Sequence, residues 1–201
     1  ILKIDFIGEQ FKHPNLKVLD LQINDIQFDA NVLPGLPSLR HLRLEIKDKI
    51  FNEINLDHEF LSNLESVSIE FSKFKNIFVD FSRLVNLKYL ELIGTKRSEN
   101  KISLIPEMFA SLKSLEEMHL YNLQLSNSDI EGVFTDLKQL RVLDLSNNEI
   151  DNINVETFKG LDNLTKLDIS GNQLENVSAH VFVKVFPKLD ELVLSSGDRS
   201  E

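Results

Sequence analysis

The sequence contains no cysteine and no tryptophan, and its 201 residues include only seven glycines and five prolines. The absence of cysteine excludes a disulfide framework, a thiol nucleophile and a metal site with cysteine ligands. It leaves the compartment open, because chains without cysteine occur on both sides of a membrane. The longest stretch free of charged residues, 118–128, has 11 residues. A membrane-spanning helix needs about 20 apolar residues, so the sequence predicts none.

Basic residues are outnumbered by acidic ones, with 22 lysines and arginines against 32 aspartates and glutamates, which gives a formal charge of −10. Nucleic-acid-binding proteins usually show the opposite balance, so a nucleic-acid partner is disfavoured. The sequence begins at Ile1 without an initiator methionine or a signal peptide, and we interpret it as processed or as an excerpt of a longer chain. Leucine and asparagine together supply 51 residues, a bias that indicates internal repeats.

The pattern L-x-x-L-x-L organises most of the chain. Its starts are 23 to 28 residues apart, which fits the 20 to 29 residues of a leucine-rich repeat. An apolar residue stands three and five places after every start, at positions that we call +3 and +5. Strand side chains alternate, so these two positions share one face of a short strand, and stacked turns can bury them in one core. The starts are Leu16, Leu39, Leu64, Leu87, Leu115, Leu140, Leu164 and Leu189.

Two further rows follow from the same alignment. Phenylalanines late in the repeats predict an aromatic wall behind the sheet, formed by Phe81, Phe109, Phe134, Phe158 and Phe182. At +8 an asparagine amide can bond the backbone of neighbouring turns, and the outer repeats have Asn24, Asn148 and Asn172 there. The middle repeats have Lys47, Ser72, Thr95 and Leu123 instead, with Asn122 one place early as a substitute.

The segment LRVLDLSNNEIDNINVETFKGLDNLTKLDISGNQL, 140–174, resembles the 24-residue typical class of the leucine-rich repeat family. The resemblance extends over about 16–194 and implies an α/β solenoid of about eight repeats, a curved horseshoe segment with a parallel β-sheet on its concave face. The uneven repeats and missing asparagines are similar to the ectodomains of Toll-type receptors. This resemblance implies a non-enzymatic glycoprotein of innate immunity, part of an extracellular or cell-surface receptor of Toll-like or adhesion type. Family receptors usually have cysteine-rich caps. We therefore expect 1–201 to be a single solenoid, an internal piece of a longer array whose uncapped ends or sheet can mediate homo-oligomerisation.

No catalytic motif is present, and the chain is predicted not to be an enzyme. The glycines are too dispersed for a phosphate-binding loop, and the five histidines lack the spacing of a metal site. No cofactor is expected. Two alternatives remain at this point: an intracellular leucine-rich repeat scaffold or regulatory subunit, which would be cytoplasmic, and an enzyme whose catalytic domain lies outside this sequence.

The concave face is the predicted binding surface, and its partner is expected to be a protein or a peptide. Its 32 outward and marginal positions include 6 basic and 11 acidic residues. Both tyrosines of the chain fall on this face, and amphipathic aromatic residues on a rigid face are typical of protein interfaces. The predicted partner-binding residues are Tyr89, Glu91, Ile93, Glu117, His119 and Tyr121.

Parallel stacking places Glu91 beside His119, about one strand spacing away. A neighbouring carboxylate favours the imidazolium, and we expect binding at this face to depend on pH between roughly 5 and 7.5. Two sequons, at Asn163 and Asn176, are candidate glycosylation sites. Chance alone gives about two sequons in this composition, so they do not decide between secretion and the cytoplasm.

Overall fold

The main feature of the computed structural model is a parallel sheet of eight strands, in the order β1-β2-β4-β6-β7-β8-β9-β10. The structure describes residues 12–23, 35–47, 51–56, 59–71, 74–95, 102, 104–175 and 179–195. Each strand of this sheet begins two residues after a predicted start, so the α/β solenoid that the repeats predict is confirmed. The strands are β1 Val18–Ile23, β2 His41–Ile46, β4 Ser66–Phe71, β6 Tyr89–Ile93, β7 Glu117–Tyr121, β8 Val142–Asp144, β9 Lys166–Asp168 and β10 Glu191–Val193.

The strands pair with equivalent repeat positions opposite one another, so the +3 residues form one continuous row. Leu90 lies opposite Met118, and Met118 lies opposite Leu143. The six middle members of the row are at most 2% exposed, whereas Leu19 and Leu192 at its two ends are only partly buried. Inward side chains from successive turns therefore share one core, as the alternation of strand side chains requires.

A second, two-stranded parallel sheet lies outside the predicted pattern. It pairs β3 Phe51–Asn55 with β5 Phe74–Asp80. A 3₁₀ helix at Glu59–Asn63 separates β3 from β4. Short helices connect several of the later strands: α1 Pro106–Phe109, α2 Asn127–Ile130 and α3 Ala179–Val185.

The wall behind the sheet is aromatic, with one difference from the prediction. The rings of Phe81 and Phe109 stack with centroids 5.7 Å apart, and Phe134 and Phe158 stack at 6.1 Å. The next partner of Phe158 is Phe186, at 5.3 Å, and not Phe182, which is only half-buried. The seventh repeat has one extra residue between Phe182 and the next start. Phe186 stands three residues before that start, where the preceding repeats have leucine.

The asparagine row is confirmed where the structure describes it. Asn148 and Asn172 are each 5% exposed, and their amides bond backbone groups of their own and the preceding turn. The expectation that Asn122 substitutes at +8 is wrong within the described residues, where its buried Oδ1 has no hydrogen-bond partner. The Leu123 N–H instead donates to Oδ1 of Asn148, at 3.0 Å. Asn24 and Ser72 lie outside the described residues.

Candidate functional site

The six predicted binding residues come together on the outward face of β6 and β7, and we call them the aromatic patch. Tyr89 lies opposite Glu117, Glu91 opposite His119 and Ile93 opposite Tyr121. Five of the six side chains are half-buried, and Glu117 is exposed. The members of the aromatic patch are Tyr89, Glu91, Ile93, Glu117, His119 and Tyr121.

Glu91 is the centre of a cluster of hydroxyl groups. The Ser68 hydroxyl on β4 donates to its Oε2 at 2.6 Å, and the Tyr121 hydroxyl donates to its Oε1 at 3.4 Å. Burial raises the pKa of Tyr121 to about 12, and the nearby Glu91 carboxylate adds to this effect. Burial, together with the same carboxylate, also raises the pKa of Tyr89. Both tyrosines therefore remain neutral hydrogen-bond donors around a carboxylate.

Three side chains surround the His119 imidazole, and two of them hold it. Its Nδ1 lies 3.5 Å from Oδ2 of Asp144 on β8, and its ring packs against that of Tyr89 with centroids 5.2 Å apart. Its Nε2 lies 3.8 Å from Oε2 of Glu117, which is too long for a hydrogen bond, and this nitrogen is buried without a hydrogen-bond partner among the described residues. The imidazole is therefore positioned by a carboxylate and an aromatic ring.

The main carboxylate partner of His119 differs from the one that the sequence predicted. Glu91 is in register with His119, as expected, but its two oxygens accept hydrogen bonds from Ser68 and Tyr121. The contact with Asp144 is the largest cause that raises the pKa of His119, and Glu91 and Glu117 add smaller contributions against the effect of burial. Burial alone would raise the pKa of Asp144, but the hydrogen bonds from His119 and Ser146 lower it.

The raised pKa of His119 makes the fold more stable on the acid side. The imidazolium contribution is complete below the usual imidazole pKa of about 6.5. It is lost as the pH rises through the higher value of the folded state. Mild acid therefore adds a positive charge to the aromatic patch without removing this stabilisation.

Sequence reasoning missed two contributors to the site, Asp144 and Ser68. Both occupy the +4 position of their repeats, which is also the position of Glu91 and His119. A search along that row would have placed Ser68, Glu91, His119 and Asp144 on four neighbouring strands. Asp144 is further fixed because its Oδ1 accepts a hydrogen bond from the Ser146 N–H at 2.8 Å.

The side chain of the sequon asparagine Asn163 forms hydrogen bonds with both neighbouring turns. Its Nδ2 donates to the Lys138 carbonyl at 2.8 Å, and its Oδ1 accepts from Lys188 Nζ at 2.5 Å. Asn86 makes the equivalent bond to the Ser62 carbonyl at 2.8 Å. The residue just before a repeat start can thus bridge to the preceding turn. Asn176, the other sequon, lies outside the described residues.

In chains made by secretory cells, we expect those with a glycan on Asn163 to be depleted from the folded, secreted fraction. A sugar on Nδ2 would compete with the Lys138 carbonyl and crowd Lys188. Peptide mapping by mass spectrometry, with occupancy at Asn176 measured in the same sample, tests this expectation. Near-complete occupancy of Asn163 in secreted, folded chains would contradict it.

The part of the chain that the structure describes contains neither a candidate metal site nor a candidate membrane-spanning helix. Across these residues, no group of three His, Cys, Asp and Glu side chains is placed to hold a metal ion. No described helix has the length and apolar character to cross a bilayer. The aromatic patch offers hydroxyl donors, carboxylates and one imidazole on a parallel sheet.

Comparison with known proteins identifies the repeats independently. The family model described as "Leucine rich repeat" matches residues 118–174 and 138–198. Toll-like receptor 4 of Bos taurus is 30% identical in an alignment of 149 residues that covers 72% of this chain and 17% of that receptor. Toll-like receptor 3 of Boselaphus tragocamelus is 31% identical in an alignment of 193 residues that covers 90% of this chain and 21% of that receptor. Lumican of Gallus gallus is 31% identical in an alignment of 173 residues that covers 66% of this chain and 50% of lumican.

Solved structures agree with this result. A complex of TLR13 with ssRNA13 superposes with a TM-score of 0.56 and 26% identity, over 88% of this chain and 26% of the receptor. The Drosophila Toll–Spatzle complex superposes with a TM-score of 0.64 over 92% of this chain and 26% of that chain, and its 20% identity shows the shared fold. This chain spans half or less of the length of the relatives it matches. Its residues 118–198 match the leucine-rich repeat family, and the chain resembles a segment of a Toll-like receptor ectodomain.

Proposed function

We propose that this chain is part of an extracellular, non-enzymatic receptor of innate immunity and that it binds a protein partner through the aromatic patch. The observation that carries the proposal is the convergence of Tyr89, His119 and Tyr121 on two adjacent strands of a regular sheet. Tyrosine is enriched in protein interfaces because it combines a large apolar ring with a polar tip. Residues of this kind tend to contribute a large share of the binding free energy.

Preorganisation supports the same proposal. Tyr121 is hydrogen-bonded to Glu91, and Tyr89 packs on His119, which is itself held by Asp144. Side chains that are already fixed lose little conformational freedom when a partner binds. The parallel strands beneath them hold their spacing at about 4.8 Å. The patch therefore presents a defined shape to a partner before contact.

Charge supports a protein partner in preference to nucleic acid. A related receptor, TLR13, forms a complex with ssRNA13, so nucleic acid is the alternative partner to compare. In this chain, the eight outward positions of β6, β7 and β8 include three carboxylates, from Glu91, Glu117 and Asp144, and no lysine or arginine. A phosphate backbone brought to this surface would be repelled.

The double substitution His119→Ala with Tyr121→Ala is expected to weaken partner binding by about tenfold or more, which is about 1.4 kcal/mol. Neither side chain is part of the buried core, so the unfolding midpoint should change little. An array of purified secreted proteins, probed with the labelled chain, supplies binders whose affinity is then measured with each variant.

His41→Ala is the matched control, because His41 is an exposed outward residue on β2 of the same sheet. It should leave the affinity unchanged. Array binders that retain full affinity for the double variant would show that the aromatic patch is not the binding site. A double variant with a markedly lower unfolding midpoint would have to be replaced by Tyr121→Phe, which removes only the hydroxyl that bonds Glu91.

A further inference from the structure

Charged residues are paired over much of the outward sheet face. Arg43 on β2 lies 3.6 Å from Glu70 and 4.0 Å from Asp20. At the other end of the sheet, Lys166 on β9 lies 2.8 Å from Glu191. Each of these cations neutralises carboxylates on neighbouring strands. Both flanks of the aromatic patch therefore have a basic side chain paired with carboxylates of the outward face.

The centre of the face is different, because its carboxylates have no basic partner among the described residues. Glu91, Glu117 and Asp144 lie on three adjacent strands, and among the described residues no lysine or arginine approaches any of them within 4.0 Å. Glu91 is held by hydroxyl groups, and Asp144 by His119 and a backbone N–H. With His119 neutral, the outward positions of β6, β7 and β8 carry three negative charges and no positive one.

Building on the proposed function, we infer that the partner is a basic protein segment that presents a lysine or arginine side chain to the aromatic patch. The cation would contact the rings of Tyr89 and Tyr121, because aromatic faces attract cations. Its charge would face the carboxylates of Glu91 and Glu117, where charge-assisted hydrogen bonds are strong. One basic side chain would thus contact both the tyrosine rings and the carboxylates that have no described lysine or arginine partner.

The pH dependence of such a complex has a definite sign. The titratable groups that face His119 are Tyr89 and Glu91 on β6, Glu117 and Tyr121 on β7, and Asp144 on β8. The tyrosines stay neutral, so His119 is the member that changes charge near neutral pH. Its protonation repels a basic segment, so a basic partner binds more weakly in mild acid. An acidic partner would show the opposite sign.

A selection from a displayed library of random peptides tests the inference with the 201-residue chain as the target. We expect the selected peptides to be enriched in lysine and arginine relative to the input library. Two variants separate shape from charge. Tyr89→Ala with Tyr121→Ala removes the aromatic anchors, whereas Glu91→Gln with Glu117→Gln keeps the side-chain shapes and removes two charges. Asp136→Asn with Glu149→Gln, at exposed positions away from the outward face, is the charge-matched control.

Both patch variants should bind the selected peptides about tenfold more weakly or worse, and the control should not. The wild-type affinity should also fall about threefold to tenfold from about pH 8 to about pH 5.5, and His119→Gln should abolish that dependence. Selected peptides that depend on the tyrosines, lack basic enrichment and tolerate the glutamine variant would overturn this inference and leave the proposed function standing. Peptides indifferent to the tyrosine variant, or no selected peptides, would count against both.

Discussion

Replacing Leu143 with alanine is expected to lower the free energy of unfolding by about 2–5 kcal/mol. Leu143 is the +3 residue of the sixth repeat, it is fully buried, and it lies between Met118 and Leu167 in the inward row. The substitution removes apolar contacts on both sides and leaves a cavity that neighbouring strands cannot fill, because their spacing is fixed by the sheet. Urea unfolding followed by circular dichroism measures the effect as a lower midpoint.

Val142→Ala is the matched control for Leu143→Ala. Val142 is adjacent in sequence on β8, but its side chain points outward and is half-buried. Its substitution should cost less than about 1 kcal/mol. Equal losses for the two variants would mean that the alternation of β8 had been assigned to the wrong face, since a shift of one residue exchanges the two sides of a strand.

The main sheet could be predicted from the sequence because its signal repeats. Every turn has apolar residues at +3 and +5, and a parallel stack places equal positions opposite one another, so the pairing of Leu90, Met118 and Leu143 followed directly. The second sheet has no such repeat. Its strands occupy only two neighbouring turns, and Phe51 and Phe74 stand 12 and 10 residues after their own starts. After a register shift the remaining pairs join equal positions of the two turns, such as Ile54 with Val79. The leucine pattern does not predict this pairing, because it assigns no strand to that part of the repeat.

The composition of the aromatic patch was predictable for the same reason, but its internal contacts were not. Register fixed Glu91 beside His119. Which carboxylate His119 contacts depends on the side-chain directions that the surrounding donors impose. Ser68 and Tyr121 bond both oxygens of Glu91, and Asp144 is aligned by the Ser146 N–H. Which carboxylate contacts His119 therefore depends on the whole set of hydrogen-bonding groups and not on the spacing of any single pair.

Asn148→Ala is expected to lower the free energy of unfolding by about 3 kcal/mol or more. The Asn148 side chain is buried, and its Oδ1 accepts the N–H groups of Leu123 and Leu125 at 3.0 and 3.1 Å. Its Nδ2 donates to the Leu120 carbonyl at 2.7 Å. Alanine would leave these three backbone groups of the preceding turn without that partner, and each unsatisfied buried group costs about 1–3 kcal/mol. Leucine at +8 of the fifth repeat supplies no replacement amide.

Hydrogen exchange and urea unfolding together test this prediction. The amides of Leu123 and Leu125 should lose protection in Asn148→Ala beyond the change in global stability, because they lose their acceptor directly. Asn148→Asp keeps an oxygen for these two amides but cannot donate to the Leu120 carbonyl, so it should protect them more than alanine does. Asn152→Ala, at an exposed position in the same repeat, should change the unfolding free energy by less than about 0.5 kcal/mol. An alanine variant at 148 that loses less than about 1 kcal/mol and keeps both amides protected would mean that other groups bond the backbone there.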